Sequence, residues 1–197
     1  MKFYTVIYFL FSRIVRLLFC VKIEGAENLP ASGPVILCSN HRSNYDPVLF
    51  GISIKRQLRY MAKAELFKFP PLSCLFKGLG AFPVSRGAHD MDAIKTAIKI
   101  LKSGGVLAMF PEGTRSRKDG EMLPFKSGVA LLANRTGATV VPAVIICKGK
   151  GRMFKRHLIK IGKPILAEEL GFTDGKTEDL RAVSERLRQI VAKLMEE

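Results

Sequence analysis

Short apolar runs that stop abruptly at polar loops constrain this chain more than any other feature. Pro34-Val35-Ile36-Leu37-Cys38 stops at Ser39-Asn40-His41, Ala81 to Val84 at Ser85-Arg86-Gly87, and Val106 to Phe110 at Pro111-Glu112-Gly113. Apolar runs of about four to eight residues bounded by turn residues read as buried strands. Val21 to Glu24, Leu58 to Ala62, Thr139 to Ile146 and Leu158 to Ile161 add further candidates. Segments of helical period lie between them. Asp90 caps one with Ile94, Ala97, Ile98 and Leu101 on one face, closed by Gly104-Gly105. Lys126 to Arg135 is a second, closed by Gly137, and Leu180, Val183, Leu187, Ile190 and Leu194 form the stripe of a C-terminal third. Alternating strands and helices predict an α/β fold: a single domain with a mostly parallel central sheet flanked by helices. At 197 residues the chain is long enough to bury a core.

Charge narrows the choice of partner. The chain carries 32 Lys and Arg against 17 Asp and Glu, a net charge of +15. Such a surplus calls for an anionic partner: nucleic acid, an acidic membrane surface or a phosphorylated substrate. There is no aromatic RNA-binding signature, no zinc-finger spacing and no Trp, which argues against nucleic acid. Cys20, Cys38, Cys74 and Cys147 are scattered without a C-x-x-C pair, as in a protein with reduced thiols and neither a disulfide framework nor a metal site.

Residues 1–20 are the most hydrophobic stretch, but Ser12, Arg13 and Arg16 interrupt it, so it lacks the roughly 20 apolar residues of a membrane span. On a helical wheel Lys2, Thr5, Ser12, Arg13 and Arg16 share a narrow arc with Phe9, and the remainder is apolar. Such a helix suits the membrane interface, aromatic side down and arginines towards headgroups; the same pattern also fits a helix buried against the domain. The expected division is an N-terminal membrane-associating helix over 1–20 and a catalytic domain over 21–197. From Lys63 to Gly80, Leu66, Phe67, Phe69, Leu72, Leu75, Phe76 and Leu79 mix with lysines, and Pro70-Pro71 splits the segment. Membrane-facing surface, acyl-binding surface and ordinary core all fit it.

His41 and Asp46 are the candidate catalytic pair. On one continuous helix, residues five apart diverge by about 140°, at ~100° per residue. Here a strand ends before His41 and Asp46-Pro47 opens a helix, so the carboxylate can fold back onto the imidazole. A neutral His takes a proton from a hydroxyl near neutral pH, and a carboxylate on its other nitrogen fixes the tautomer. Two polar residues sharing a loop give the same H-x-x-x-x-D pattern. What favours chemistry is that three polar loops follow strands. In open α/β sheets ligands collect at the carboxyl ends of strands, where Arg86 and Arg115 can grip a phosphate through bidentate hydrogen bonds. Gly113 lets the backbone approach a ligand closely. Cys38, three residues before His41, is an alternative nucleophile, although a Cys inside an apolar strand is ordinarily inert core.

Four ordered blocks carry a resemblance: Asn40 to Pro47, Gly80 to Arg86, Phe110 to Ser116, and Val140 to Ala143. From about Cys20 to Pro164 the sequence resembles the glycerolipid acyltransferases, in the branch that acylates lysophosphatidic acid. The resemblance implies transfer of a fatty acyl group from acyl-CoA or acyl carrier protein to the 2-hydroxyl of 1-acyl-sn-glycerol-3-phosphate, giving phosphatidic acid. Glycerol-3-phosphate or another lysophospholipid is the alternative acceptor, and a non-enzymatic basic membrane-surface or nucleic-acid-binding protein the more distant one. By the same match His41 is the general base and Asp46 its orienting partner. Lys63, Arg86, Glu112, Gly113, Thr114 and Arg115 hold the substrate phosphate, and the block at Pro142 shapes the acyl or acceptor pocket. No metal or cofactor is implied beyond the acyl donor as co-substrate. The expected location is the cytoplasmic face of the cell membrane, peripheral or monotopic, on an anionic lipid surface and without nucleic acid. The departure lies at the N-terminus, where one hydrophobic helix stands in place of a two-helix anchor.

Overall fold

The computed structural model describes residues 2–85, 90–116, 121–147 and 154–197. Helix α1 (Lys2–Leu18) leads into strand β1 (Val21–Glu24). Strand β2 (Val35–Ser39) is followed by α2 (Asp46–Ser53), and β3 (Leu58–Lys63) by a short 3-10 turn and α3 (Pro70–Gly78). Then come β4 (Ala81–Val84), α4 (Met91–Lys102), β5 (Val106–Met109), α5 (Gly128–Thr136), β6 (Thr139–Cys147), β7 (His157–Ile161) and α6 (Thr177–Glu196). The strands form one seven-stranded sheet in the order β1-β7-β6-β2-β5-β3-β4. Neighbours from β6 through β4 pair in parallel. β7 runs against β6, and β1 at the sheet's edge follows β7, so these two strands point the other way.

The period of two along β2 sorts the core. Ile36 and Cys38 point to the face covered by Ala97 and Leu101 of α4, Leu132 and Ala133 of α5, and Val183, Leu187 and Val191 of α6. Val35 and Leu37 point to the face covered by Leu49 and Phe50 of α2 and by Phe19. Every residue of β2 is buried, as expected for a strand covered on both faces. α2 thus lies on one side of the sheet and α4 and α5 on the other, as right-handed crossovers require.

Helix α1 packs on α2. The last carbonyls of a helix lack intrahelical partners, and α1 supplies two of them. The Tyr4 hydroxyl donates to the Gly51 carbonyl at 3.0 Å, and Arg16 donates to the Ile52 carbonyl through Nη2 at 2.6 Å and Nε at 3.2 Å. Tyr4, Ser12 and Phe19 are buried on this side. Arg16, expected to reach for headgroups, is turned inward because a helix C-terminus attracts a cation. The opposite side exposes Val6, Phe9, Leu10, Phe11, Ile14 and Leu17, with Phe9 at 74% and Leu17 at 79%. Among the described residues no helix is long and apolar enough to cross a membrane.

Candidate active site

The parallel strands bring their following loops to one end. Cys38 of β2 lies opposite Met109 of β5 and Pro142 of β6, so β2 and β5 finish level while β6 runs on to Cys147. Tyr60 of β3 lies opposite Ala108, so Lys63, three residues on, reaches the level of Pro111 and stands opposite Val84. One rim therefore carries the His41 turn, Lys63, Ser85 and the Glu112 loop. Arg86, the expected phosphate ligand beyond Ser85, lies outside the described residues.

His41 and Asp46 meet. His41 Nδ1 is 2.9 Å from Asp46 Oδ2, and the same oxygen accepts the backbone N–H of Arg42 at 2.7 Å and of Ser43 at 2.8 Å. Asp46 opens α2, with Pro47 in its first turn and Tyr45 at the cap, one residue earlier than the sequence signal suggests. The carboxylate, only 2% exposed, thus closes the turn and orients the ring at once. With Nδ1–H given to Asp46, Nε2 is left to accept a proton. The imidazole stacks on Phe110 at 4.3 Å between centroids, and Phe110 leans on Phe50 of the core. Packing on one side and a carboxylate on the other leave the ring little freedom.

Asn40 extends β2 sideways. Its Nδ2 donates to the Ile145 carbonyl and its Oδ1 accepts the Ile145 N–H, at 3.1 and 2.9 Å, so a buried side chain stands in for a strand neighbour. This pins the start of the His41 turn to β6. Nothing in the sequence beyond an Asn at a strand end signals it.

Glu112, expected in the phosphate cradle, gives its carboxylate to the backbone. Oε1 accepts the His41 N–H at 2.8 Å and Oε2 the Leu123 N–H at 3.0 Å. Burial pushes its carboxyl above the ordinary value, and these two hydrogen bonds oppose that rise. The Ser116 N–H donates to the His41 carbonyl at 2.9 Å, so this loop holds both backbone groups of His41. Between the buried Glu112 and Ser116, the loop exposes Gly113, Thr114 and Arg115. Gly113 sits at φ +69°, stabilised by its N–H to the Phe110 carbonyl at 3.0 Å. Among the described residues neither Lys63 nor Arg115 has a carboxylate partner.

Cys38 is fully buried in β2, and burial, reinforced by the nearby Glu112, pushes its thiol up to about 12. A thiol at that value supplies almost no thiolate near neutral pH, which removes it as an acyl carrier.

A ring oriented by a buried carboxylate, at a strand end flanked by exposed cations, is an arrangement suited to base-assisted group transfer. The sequence model of the Acyltransferase family matches residues 20–146, and the chain belongs to that family. It is 35% identical over 178 residues to the 1-acyl-sn-glycerol-3-phosphate acyltransferase of Bacillus subtilis (strain 168), across 88% of this chain and 87% of that one. It is also 35% identical over 133 residues to the chloroplastic 1-acyl-sn-glycerol-3-phosphate acyltransferase LPAT1 of Arabidopsis thaliana, covering 66% of this chain and 37% of the plant protein. The crystal structure of the 1-acyl-sn-glycerophosphate (LPA) acyltransferase PlsC from Thermotoga maritima superposes with a TM-score of 0.72 at 29% identity, covering all of this chain and 80% of that one.

Proposed function

We propose that the protein transfers a fatty acyl group from a thioester donor, acyl-CoA or acyl carrier protein, to the 2-hydroxyl of lysophosphatidic acid, giving phosphatidic acid. The observation that carries this reading is the 2.9 Å contact between His41 Nδ1 and Asp46 Oδ2 at the rim of the parallel sheet. His41 Nε2 takes the hydroxyl proton as the oxygen attacks the thioester carbonyl. Asp46 stabilises the imidazolium. The tetrahedral centre then expels the thiolate, and the imidazolium protonates it, releasing a free thiol and the new ester. Base catalysis of this kind is worth about 10²–10⁴-fold, and anchoring the acceptor contributes further by orientation.

Lys63, Arg86, Gly113, Thr114 and Arg115 are the proposed phosphate cradle. Glu112 we assign to positioning, because both carboxylate oxygens already accept backbone amides and a second negative charge would repel phosphate. We further propose that the protein sits peripherally on the cytoplasmic face of an anionic membrane through α1, whose outward residues include Phe9, Leu10, Ile14 and Leu17. Tyr45 and Val48 beside the site, and Leu66, Phe69, Leu72 and Leu75 around α3, are exposed as well. The net charge of +15 suits acidic headgroups.

A thiol-release assay with lysophosphatidic acid, glycerol-3-phosphate and other lysophospholipids tests the reaction and the acceptor together. Turnover with lysophosphatidic acid that vanishes in a folded His41→Ala variant is the expected result. Wild-type rates in that variant would defeat the assignment.

A further inference from the structure

The surroundings of Gly113 point to a residue outside the recognised blocks. The glycine's φ of +69° disfavours a side chain. A Cβ at this position would also meet Lys126, whose Nζ, Cε and Cδ would lie 2.8, 2.9 and 3.2 Å away. The lysine stem therefore lies across Gly113. This placement is built by the backbone: the Lys126 N–H donates to the Pro111 carbonyl at 2.9 Å, three residues after Leu123 docks on Glu112. The segment returning to α5 is thus clamped to the Glu112 loop at two points, and Lys126 has no reason to lean over Gly113 except this frame.

We propose that Lys126 is a further phosphate-binding residue of this site, placing its ammonium beside Gly113 to share a substrate phosphate with Arg115. The proposal rests on the acyl-transfer reading above. Among the described residues Lys126 has no carboxylate partner. The Glu112 carboxylate, at the head of the same loop, is occupied by two backbone amides. An exposed lysine is ordinarily a solvated charge. This one differs in having its stem packed on the loop that also exposes Thr114 and Arg115. A phosphomonoester carries close to two negative charges near neutral pH and is held by more than one cation. The acceptor and the acyl donor both present phosphates, and the experiment separates them.

Lys126→Met keeps the apolar stem over Gly113 and removes the charge, whereas Lys126→Arg keeps a cation. In the thiol-release assay, Lys126→Met is expected to raise the KM for lysophosphatidic acid about tenfold or more, as loss of a charged hydrogen bond implies, with kcat within about threefold. Lys126→Arg should recover most of the loss. A 1-monoacylglycerol acceptor, which lacks the phosphate, should show no such change. A raised KM for acyl-CoA with the acceptor KM unchanged would assign the ammonium to the donor's phosphates instead. Independently of turnover, the rise in melting temperature that glycerol-3-phosphate gives the wild type should shrink in Lys126→Met. Lys126→Gln, read in the same way, replaces the methionine variant if that one does not fold. Unchanged KM values for both substrates, or a kcat loss shared equally by the Met and Arg variants, would overturn the proposal. An active His41→Ala enzyme would instead defeat the underlying reading and leave the lysine result standing by itself.

Discussion

The backbone amide of His41 is a ligand of Glu112: His41 N lies 2.8 Å from Oε1, across 71 residues of sequence. The ring that Asp46 orients and the loop that exposes Arg115 are therefore one rigid unit. A shift of the loop moves the ring.

Glu112→Gln tests that unit. The amide still accepts from one backbone N–H but opposes the other, which leaves a buried donor unmet at a cost of about 1–3 kcal/mol. We expect kcat to fall about tenfold or more with the acceptor KM within about threefold. A large rise in KM with unchanged kcat would return Glu112 to the phosphate cradle.

The same variant gives a pH signature. Burial raises the Glu112 carboxyl above its ordinary 4.5, so the folded chain holds this proton more tightly than the unfolded one. The resulting stability is complete below about pH 4.5 and is lost as pH rises through the raised value. The melting temperature of wild type minus that of Glu112→Gln should accordingly fall between acidic and neutral pH. His41 and Asp46 act on this carboxyl in opposite directions, His41 lowering it and Asp46 raising it, and both are smaller than the effect of burial. A difference that grows with pH would contradict the burial account.

Asp46→Asn retains the size of the side chain and loses the fixed tautomer. Turnover should drop by about 10²-fold or more while lysophosphatidic acid still binds. Binding measured by ligand-induced thermal shift checks the second half. Loss of binding together with turnover would mean that the turn has collapsed.

Cys38→Ala should keep turnover within about threefold, since a thiol raised to about 12 does not carry acyl groups. An acyl-enzyme trapped on Cys38, detected by mass spectrometry, would reverse this.

For α1, the pair Phe9→Asp and Leu17→Asp places charge on the exposed side and leaves Tyr4, Arg16 and Phe19 in place. Each lipid-buried Leu or Phe is worth about 1.5–3 kcal/mol. Flotation with anionic vesicles should fall at least tenfold, with turnover of a short-chain, water-soluble acceptor retained. Unchanged flotation would remove α1 from the membrane proposal.

Much of the fold was readable from the residues. β2, β5 and β6 are apolar at all but a terminal Ser39 and Thr139 because they are covered on both faces, and Asp90 announces α4 by accepting the Ala93 N–H at 2.9 Å. Gly137, at φ +65°, closes α5 as its position suggests. Pro70-Pro71 opens α3 and so divides the segment it interrupts. The reversal of β7 and β1 was not readable, because strands of four or five residues carry no mark of direction. Nor was the turning inward of Arg16, which a wheel groups with Arg13 and which only the carbonyl end of α2 explains. His41 with Asp46 was legible because both lie within one local turn. The hold of Glu112 on His41, the Asn40 bridge and the lean of Lys126 over Gly113 join segments distant in sequence, and local pattern does not encode them.

The reversed direction of β1 has a geometric outcome. Because that strand runs against the central ones, its first residue lies at the end where their loops gather, and Phe19 just before it comes within 5.0 Å of Tyr45 in the His41 turn. The greasy helix is thereby delivered to the doorway of the chemistry instead of its far side. A lipid resting against that helix could offer its polar head to the imidazole while its hydrocarbon tail stayed at rest in the bilayer.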